Sequence, residues 1–425
     1  MGLLHHGKLV VGYDLGEKYS QVSCRIGDEP VETLSLVAGE ECYNIPTVLC
    51  KRTGLNQWYY GNEAIKCAQE EKGILVENVM QLAVRGEPVQ IDDITFDPVA
   101  LLSLYMKRSL GILSQVSAPG RIAVLMITCE KLDARLIDVL HQAVDNMHLK
   151  ADKVILQSHE ESFYNYVLRQ PPELWKSQSL LLEYSGTRVL AYCMECNRRT
   201  TPIVAYIESW EYNMPPYEPM PEDEALRKDK MEKLDREFAG IASQVCKRTA
   251  VSSVYLIGEN YSDEWMKESL RELCMGRRVF QGVNLYSKGA CFAASERISP
   301  SEVGKAHIFL GEDKLKSNIG MNILQQGKES YFALLDAGVN WYETEQRFEF
   351  YMRGGNELEL QIMSLIGRER RTVKITLDDM LPGMSRMRAH LFLTGEKELV
   401  VEIEDLGFGS FRPATNHVWR REIAL

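Results

Sequence analysis

A strand, a tight turn and a second strand occur twice in this chain, and that repetition limits the fold more than any other feature. The first copy is Val10 to Ser20, Val-Val-Gly-Tyr-Asp-Leu-Gly-Glu-Lys-Tyr-Ser. The apolar run Leu9 to Tyr13 carries β-branched and aromatic residues, Gly16 can take φ > 0 at the turn, and Gln21 to Ile26 alternates apolar and polar. The second copy is a strand Ser179 to Tyr184, a turn Ser185-Gly186-Thr187 and a return strand Arg188 to Cys193. An early hairpin matched by a later one predicts an internally duplicated α/β architecture with a cleft between its halves. Asp14 stands at the end of the first strand. Turn N–H groups there can face an anion while the carboxylate holds a metal ion beside it. A plain surface hairpin with Asp14 at its turn fits the same residues.

Between and after the hairpins the pattern alternates. Asn44 to Cys50 reads as a short strand entered through Pro46, Tyr59 to Ala64 as a turn leading into a helix, and Phe96 to Leu113 as a helix. A strand Arg121 to Thr128, a helix Leu132 to Met147, a strand Lys153 to Leu156 and a helix Glu160 to Leu168 follow. Leu136, Ile137, Leu140, Val144 and Met147 recur at helical spacing, with Asp133 at the start. Such alternation argues for a mostly parallel or mixed sheet covered by helices. Asn213 to Asp223 is rich in proline and acid and reads as a loop before a charged helix, Glu224 to Arg248. Val251 to Gly258 is a buried strand, and Asn284 to Ala294 a helix of small residues.

Near residue 305 the composition shifts to strands: Phe348 to Met352, Leu358 to Ile366, Val373 to Leu377, Met387 to Leu393 and Leu399 to Glu404. Leu358, Leu360 and Ile362 share one face, as do Leu399, Val401 and Ile403. Gly354-Gly355-Asn356 and Thr394-Gly395-Glu396-Lys397 read as hairpin turns, and the region as a separate β-sandwich.

A net charge of −11 with scattered Lys and Arg argues against a nucleic-acid partner; the densest basic point, Arg368, Arg370 and Arg371, lies between two strand-like runs. The longest uncharged apolar run, Ile122 to Cys129, is far short of the roughly 18 residues a spanning helix needs, so no membrane is expected. The N-terminus carries no signal-peptide pattern. Ten dispersed cysteines, mostly in apolar runs, suit a reduced, cytoplasmic protein. Cys193-Met-Glu-Cys196 has the spacing of a zinc half-site without a second pair. His141 and His148 read as a solvated helix face, and His5-His6 as a loose terminal segment.

Taken in order, these motifs resemble a DnaK-type heat-shock chaperone: an actin-like, ribonuclease-H-like duplicated ATPase domain followed by a peptide-binding β-sandwich. Val11 to Ser20 is similar to the first phosphate loop, Leu180 to Thr187 to the second, Val254 to Asn260 to the adenosine-binding strand and turn, and Asn284 to Phe292 to the helix beside it. The resemblance implies a two-lobed domain over 1–305 (about 1–175 and 176–305), a linker at 306–313 and a β-sandwich over 314–425. It implies ATP or ADP with magnesium as the cofactor, bound by Asp14, Gly16, Lys18, Gly186, Thr187 and Gly258, with Asp14 on the metal.

The departures point away from catalysis, toward a degenerate bacterial relative. Glu17 and Lys18 replace small hydroxyl residues, and a carboxylate beside a triphosphate is repulsive unless Lys18 offsets it. Glu183-Tyr184-Ser185-Gly186-Thr187 replaces an aspartate and a run of glycines. Met80 falls where the family has its catalytic lysine, with Lys66 or Lys72 as alternatives if the alignment slips, and Ser158 falls where it has a glutamate. The paired glycines of the adenosine turn become Gly258-Glu259, and the segment that closes over adenine is short. The expectation is a pseudo-ATPase that binds a protein or peptide partner without turning over ATP. A slow magnesium-dependent ATPase and a self-assembling structural protein are the alternatives.

Overall fold

The computed structural model describes residues 7–116, 121–215, 221–248, 250–262, 264–366 and 369–425. His5-His6 and Arg368 lie outside the described residues. The chain divides into two compact units, Met1–His307 and Ile308–Leu425.

The first unit is built on two six-stranded sheets of one design, beside a small sheet of Trp58–Tyr60, Leu49–Arg52 and Gly73–Val76 and a hairpin of Val89–Ile91 and Ile94–Phe96. In the first, β1 (Leu9–Leu15) and β2 (Tyr19–Ile26) form the expected antiparallel hairpin, with the short strand Glu32–Thr33 beyond β2. Helices α1 (Val79–Arg85) and α2 (Pro98–Ser109) precede β3 (Ile122–Cys129), which runs parallel to β1. Helix α3 (Ala134–Met147) then leads to β4 (Ala151–Ser158), parallel to β3, and to α4 (His159–Leu168). In the second sheet β5 (Gln178–Ser185) and β6 (Arg188–Asn197) form the hairpin, and β7 (Ile203–Asn213) lies antiparallel beyond β6. After α5 (Glu224–Arg248), β8 (Val251–Ile257) runs parallel to β5 and β9 (Arg278–Gln281) parallel to β8. Leaving aside the two-residue strand Ile45–Pro46, which pairs with β2, and the edge strand His307–Phe309 beyond β7, both six-stranded sheets read third, second, first, fourth, fifth strand in order of appearance.

Capping and periodicity explain the helices. Asp133 accepts a hydrogen bond from Leu136 N at 2.8 Å and so starts α3, whose buried face is Leu136, Ile137, Leu140, Ala143 and Met147. On α5, Leu234, Phe238, Ala242 and Val245 recur at helical spacing and pack on the second sheet with Tyr184, Tyr261 and Trp265. The segment between the second hairpin and β8 is thus spent on one strand and one helix of that half. Strand β7 was not anticipated, because Ile203 to Asn213 interrupts its alternation with Glu208, Ser209 and Glu211. Of the expected loop Asn213 to Asp223, Asn213 belongs to β7 and residues 216–220 lie outside the described residues.

The two halves exchange helices. Helix α6 (Leu285–Ile298) follows the second sheet yet packs on the first, with Ala290, Cys291, Ala293 and Ala294 against Val10, Val124, Met126 and Ile155. Helix α4 follows the first sheet, and its Phe163 and Tyr166 meet Tyr255 of β8 edge-on at 5.9 and 5.8 Å. The helices cross at Gly289, where a Cβ would collide with the Ser162 carbonyl. A Cβ on Gly12 would likewise collide with the α6 backbone at Ser287 and Cys291, so close approach is what requires these glycines.

The second unit contains β10 (Ser317–Gln325), β11 (Lys328–Leu335), β12 (Glu345–Arg353), β13 (Glu357–Ser364), β14 (Arg370–Thr376), β15 (Met384–Gly395), β16 (Glu398–Asp405) and β17 (Val418–Ala424). They form two antiparallel sheets, ordered β11-β10-β13-β14 and β12-β15-β16-β17. Met387, Ala389, Leu391 and Leu393 alternate as buried residues along β15 while Arg386 and Arg388 face out, as a half-buried strand requires. Edge strands β14 and β17 are tied together: Arg371 donates to the Ala424 carbonyl, and Arg421 to the Thr376 carbonyl at 3.2 Å.

Three expectations need correction here. Thr394 to Lys397 does join paired strands, but Gly354-Gly355-Asn356 links β12 to β13, which belong to different sheets and so make no hairpin. Residues 306–313, expected as a linker, include a strand, His307–Phe309, and the Asp313 carbonyl accepts Trp341 N at 3.1 Å. Gly16 is not among the residues with positive φ; its N donates to the Tyr19 carbonyl at 3.0 Å, and a Cβ would stand 2.6 Å from that oxygen, so steric room is what makes it glycine.

Candidate functional site

A cleft of about 770 Å³ opens between the halves of the first unit, and both hairpin tips line it. Asp14, Gly16, Lys18, Gly186, Thr187 and Gly258, singled out from sequence, all lie in its wall. Gly186, with φ +59°, and Thr187 make the two-residue turn of the second hairpin. Gly258, with φ +112°, lies so close to the Tyr184 backbone that a Cβ would collide with its carbonyl.

The floor is built from four side chains. His159 Nε2 lies 2.8 Å from Asp14 Oδ1, and the imidazole stacks on the Tyr286 ring at 3.7 Å between centroids. Tyr286 in turn donates its hydroxyl to Glu183 Oε2 at 2.7 Å. Asp14 and Glu183 both stand near the end of the first strand of their hairpin, each followed by a residue fully buried in its own half, Leu15 and Tyr184. The stacked rings therefore carry one carboxylate each. Burial pushes the Glu183 carboxyl up, only partly offset by His159 and the Tyr286 hydroxyl. Burial also pulls the His159 imidazole down, but the carboxylates of Asp14, Glu183 and Glu130 together outweigh it and the net shift is upward.

Around the floor, acidic residues outnumber basic ones in the wall. Asp14, Glu17, Glu130, Asp133, Glu183 and Glu259 stand against Lys18, Arg85, Lys131 and Arg188. Lys18 reaches across to Glu259 at 3.3 Å, Arg188 pairs with Glu130, and Glu17 accepts from Gln81 at 2.9 Å. Met80 on α1 lines the cleft, whereas Lys66 and Lys72 are not in its wall, and Lys72 pairs with Glu70 at 2.6 Å.

The second hairpin departs from its sequence reading. Tyr184 does not face the place a phosphate would take; it turns into the core, is fully buried, and donates to the Pro215 carbonyl at 2.6 Å. Ser158 caps α4 by accepting Glu161 N at 3.3 Å. Cys193 and Cys196 sit three apart on β6, hence on opposite faces, and cannot ligate one ion together. Among the described residues no three His, Cys, Asp or Glu side chains converge on a metal-sized site. His141 and His148 are exposed.

Sequence reasoning missed His159 and Tyr286. The available signal was positional: His159 opens a helix at the C-terminal end of a parallel strand, where open α/β sheets place their ligands. Tyr286 lies 127 residues away in a small-residue helix, with no local pattern to link the two.

Residues 30–312 match a family of unknown function, DUF5716 C-terminal, and residues 314–425 match a domain of unknown function, DUF8552. No curated protein matches the chain.

Proposed function

We propose, from the premise that this chain belongs to the DUF5716 family of unknown function, that it is a non-catalytic binding protein. In this reading an actin-like platform of the chaperone type carries a β-sandwich, and the protein holds a protein segment or partner without turning over ATP. Supporting the platform are the shared strand order of the two sheets, the exchanged helices and the two hairpins on one cleft.

One observation carries the loss of catalysis: the Asp14 carboxylate, which would place magnesium, is taken by His159 and shares its floor with Glu183. Phosphoryl transfer depends on positioning and on cations at the phosphates. Here the first tip presents Glu17, the floor holds Glu183, Lys18 is drawn to Glu259, and Met80 stands where a lysine would serve. Magnesium-ATP does not fit these residues. Losing one charge-stabilising group costs about 2.7 to 4 kcal/mol of transition-state stabilisation, so losing two or three removes most of a modest rate.

The test is a calorimetric titration with magnesium-ATP and magnesium-ADP, beside a phosphate-release assay of the chain and of Asp14→Asn. No binding and no release are expected. Magnesium-dependent turnover that the substitution abolishes would replace this reading with a slow ATPase.

A further inference from the structure

We propose that two copies of this chain pair through the edge strand β12, antiparallel about a two-fold axis at Phe348, so that their four-stranded sheets run on into one. The sandwich is tied together on one side, where Arg371 and Arg421 bond edge strands β14 and β17 across the two sheets. On the other side edge strands β11 and β12 meet through the Phe332 and Phe348 rings, 5.7 Å apart, and among the described residues no hydrogen bond joins them. Strand β12 pairs with β15 from Glu345 to Arg353 without a register shift, and among the described residues no other backbone hydrogen bond reaches it. A straight edge of nine residues with neither proline nor glycine is a template for a further strand.

Charge complementarity selects that strand. The outer face of β12 carries Glu345, Arg347, Glu349, Tyr351 and Arg353, and its inner face the half-buried Phe348 and Phe350, with rings 5.6 Å apart. Charges guard an edge because like charges opposed across a pair repel. Here the signs alternate. Opposed residues of an antiparallel pair share a face, so the two-fold axis of a self-pairing strand passes through a residue. With the axis at Phe348, Arg347 of each copy faces Glu349 of the other, Glu345 faces Tyr351, and the two Phe348 rings lie opposite each other. An axis at Arg347 or Glu349 opposes that residue to itself, and one at Phe350 opposes Arg347 to Arg353. Arg347, 67% exposed, already lies 2.7 Å from Glu345, and Glu349, 42% exposed, lies 3.2 Å from Arg388. The second copy therefore extends both pairs into one ladder of alternating charge across the joined sheets. These surface charges set register and choice of partner, while backbone pairing and the aromatic inner face supply the affinity.

The test is sedimentation velocity of the full chain at low salt over about 1 to 100 μM, with hydrogen exchange at both ends of that range. A monomer–dimer equilibrium is expected, with the β12 amides gaining protection in the dimer. Arg347→Glu and Glu349→Arg each oppose like charges twice and should weaken the dimer about tenfold or more. Mixing the two variants makes both opposed positions complementary again and should restore it, and thermal melting of each alone shows that it remains folded. A chain that stays monomeric at about 100 μM would overturn the proposal, as would a dimer that both substitutions leave unchanged or folded variants that do not recover on mixing. A monomer whose β12 amides are protected by an added extended peptide would also overturn it, giving the edge to a protein segment instead.

Discussion

The two hairpins of the first unit share a backbone plan and differ in what their tips do. In the first, four residues, Gly16 to Tyr19, bridge the paired Leu15 and Ser20, and the charged tip reaches outward to Gln81 and Glu259. In the second, two residues bridge Ser185 and Arg188, and the strand anchors inward through Tyr184. Both keep a carboxylate near the end of the first strand, two residues before the turn in one and three in the other. The two sheets thus share a strand order while their hairpin tips differ: strand order is fixed by core packing, whereas exposed turn residues are free to vary.

The most severe test of this contrast is Tyr184→Ala. If the ring is a core anchor, its loss costs about 3 to 5 kcal/mol, comparable with Leu15→Ala, in urea unfolding. A cost below about 0.5 kcal/mol would put the ring in the cleft and erase the contrast. Glycine substitutions sharpen it next. Gly258→Ala forces a side chain into an unfavourable φ and against the Tyr184 backbone, and should cost about 2 kcal/mol or more. Gly186→Ala has open space around it and should cost about 1 kcal/mol from backbone strain alone.

The floor adds a pH dependence. Glu183 and His159 both have raised folded-state values, so each contributes stability that is fully present below its unfolded value, about 4.3 and 6.5, and lost as pH rises through its folded value. Urea midpoints of the native chain should therefore fall relative to Glu183→Gln as pH rises from about 4.3. A gap that narrows instead would mean the Glu183 carboxylate already has a counter-charge. The smallest effect belongs to the first tip. Lys18 and Glu259 are largely exposed, so Lys18→Ala should change stability by less than about 1 kcal/mol, and added salt should shrink even that.

How far the sequence could be read follows from where each signal lies. Hairpins, the Asp133-capped helix and Glu224–Arg248 were legible because turn residues, caps and apolar spacing are local. The six site residues that the family resemblance implied also fall in the cleft wall, although only Asp14 was picked out by its own place at a strand end. The floor was not legible. His159 and Tyr286 meet only because two helices cross at Gly289, and nothing near either residue encodes that meeting. In the second unit Lys328–Leu335 and Val418–Ala424 escaped notice because Lys328-Glu329 and Arg420-Arg421-Glu422 blur the two-residue period. Gly354 to Asn356 misled for the opposite reason: turn composition says that the chain reverses, not which sheet the next strand joins.

The exchanged helices also set a schedule for biosynthesis. Val10 on β1 is covered by Ala290 and Cys291, and the Cys291 thiol donates to the Val10 carbonyl at 3.9 Å across 281 positions. At about 5 to 20 residues per second, β1 leaves the ribosome roughly 15 to 60 seconds before the helix that shields it. Through that interval the apolar strands Leu9–Leu15 and Ile122–Cys129 lack their α6 cover, open to any holdase that recognises unshielded β-strand surface on a nascent chain.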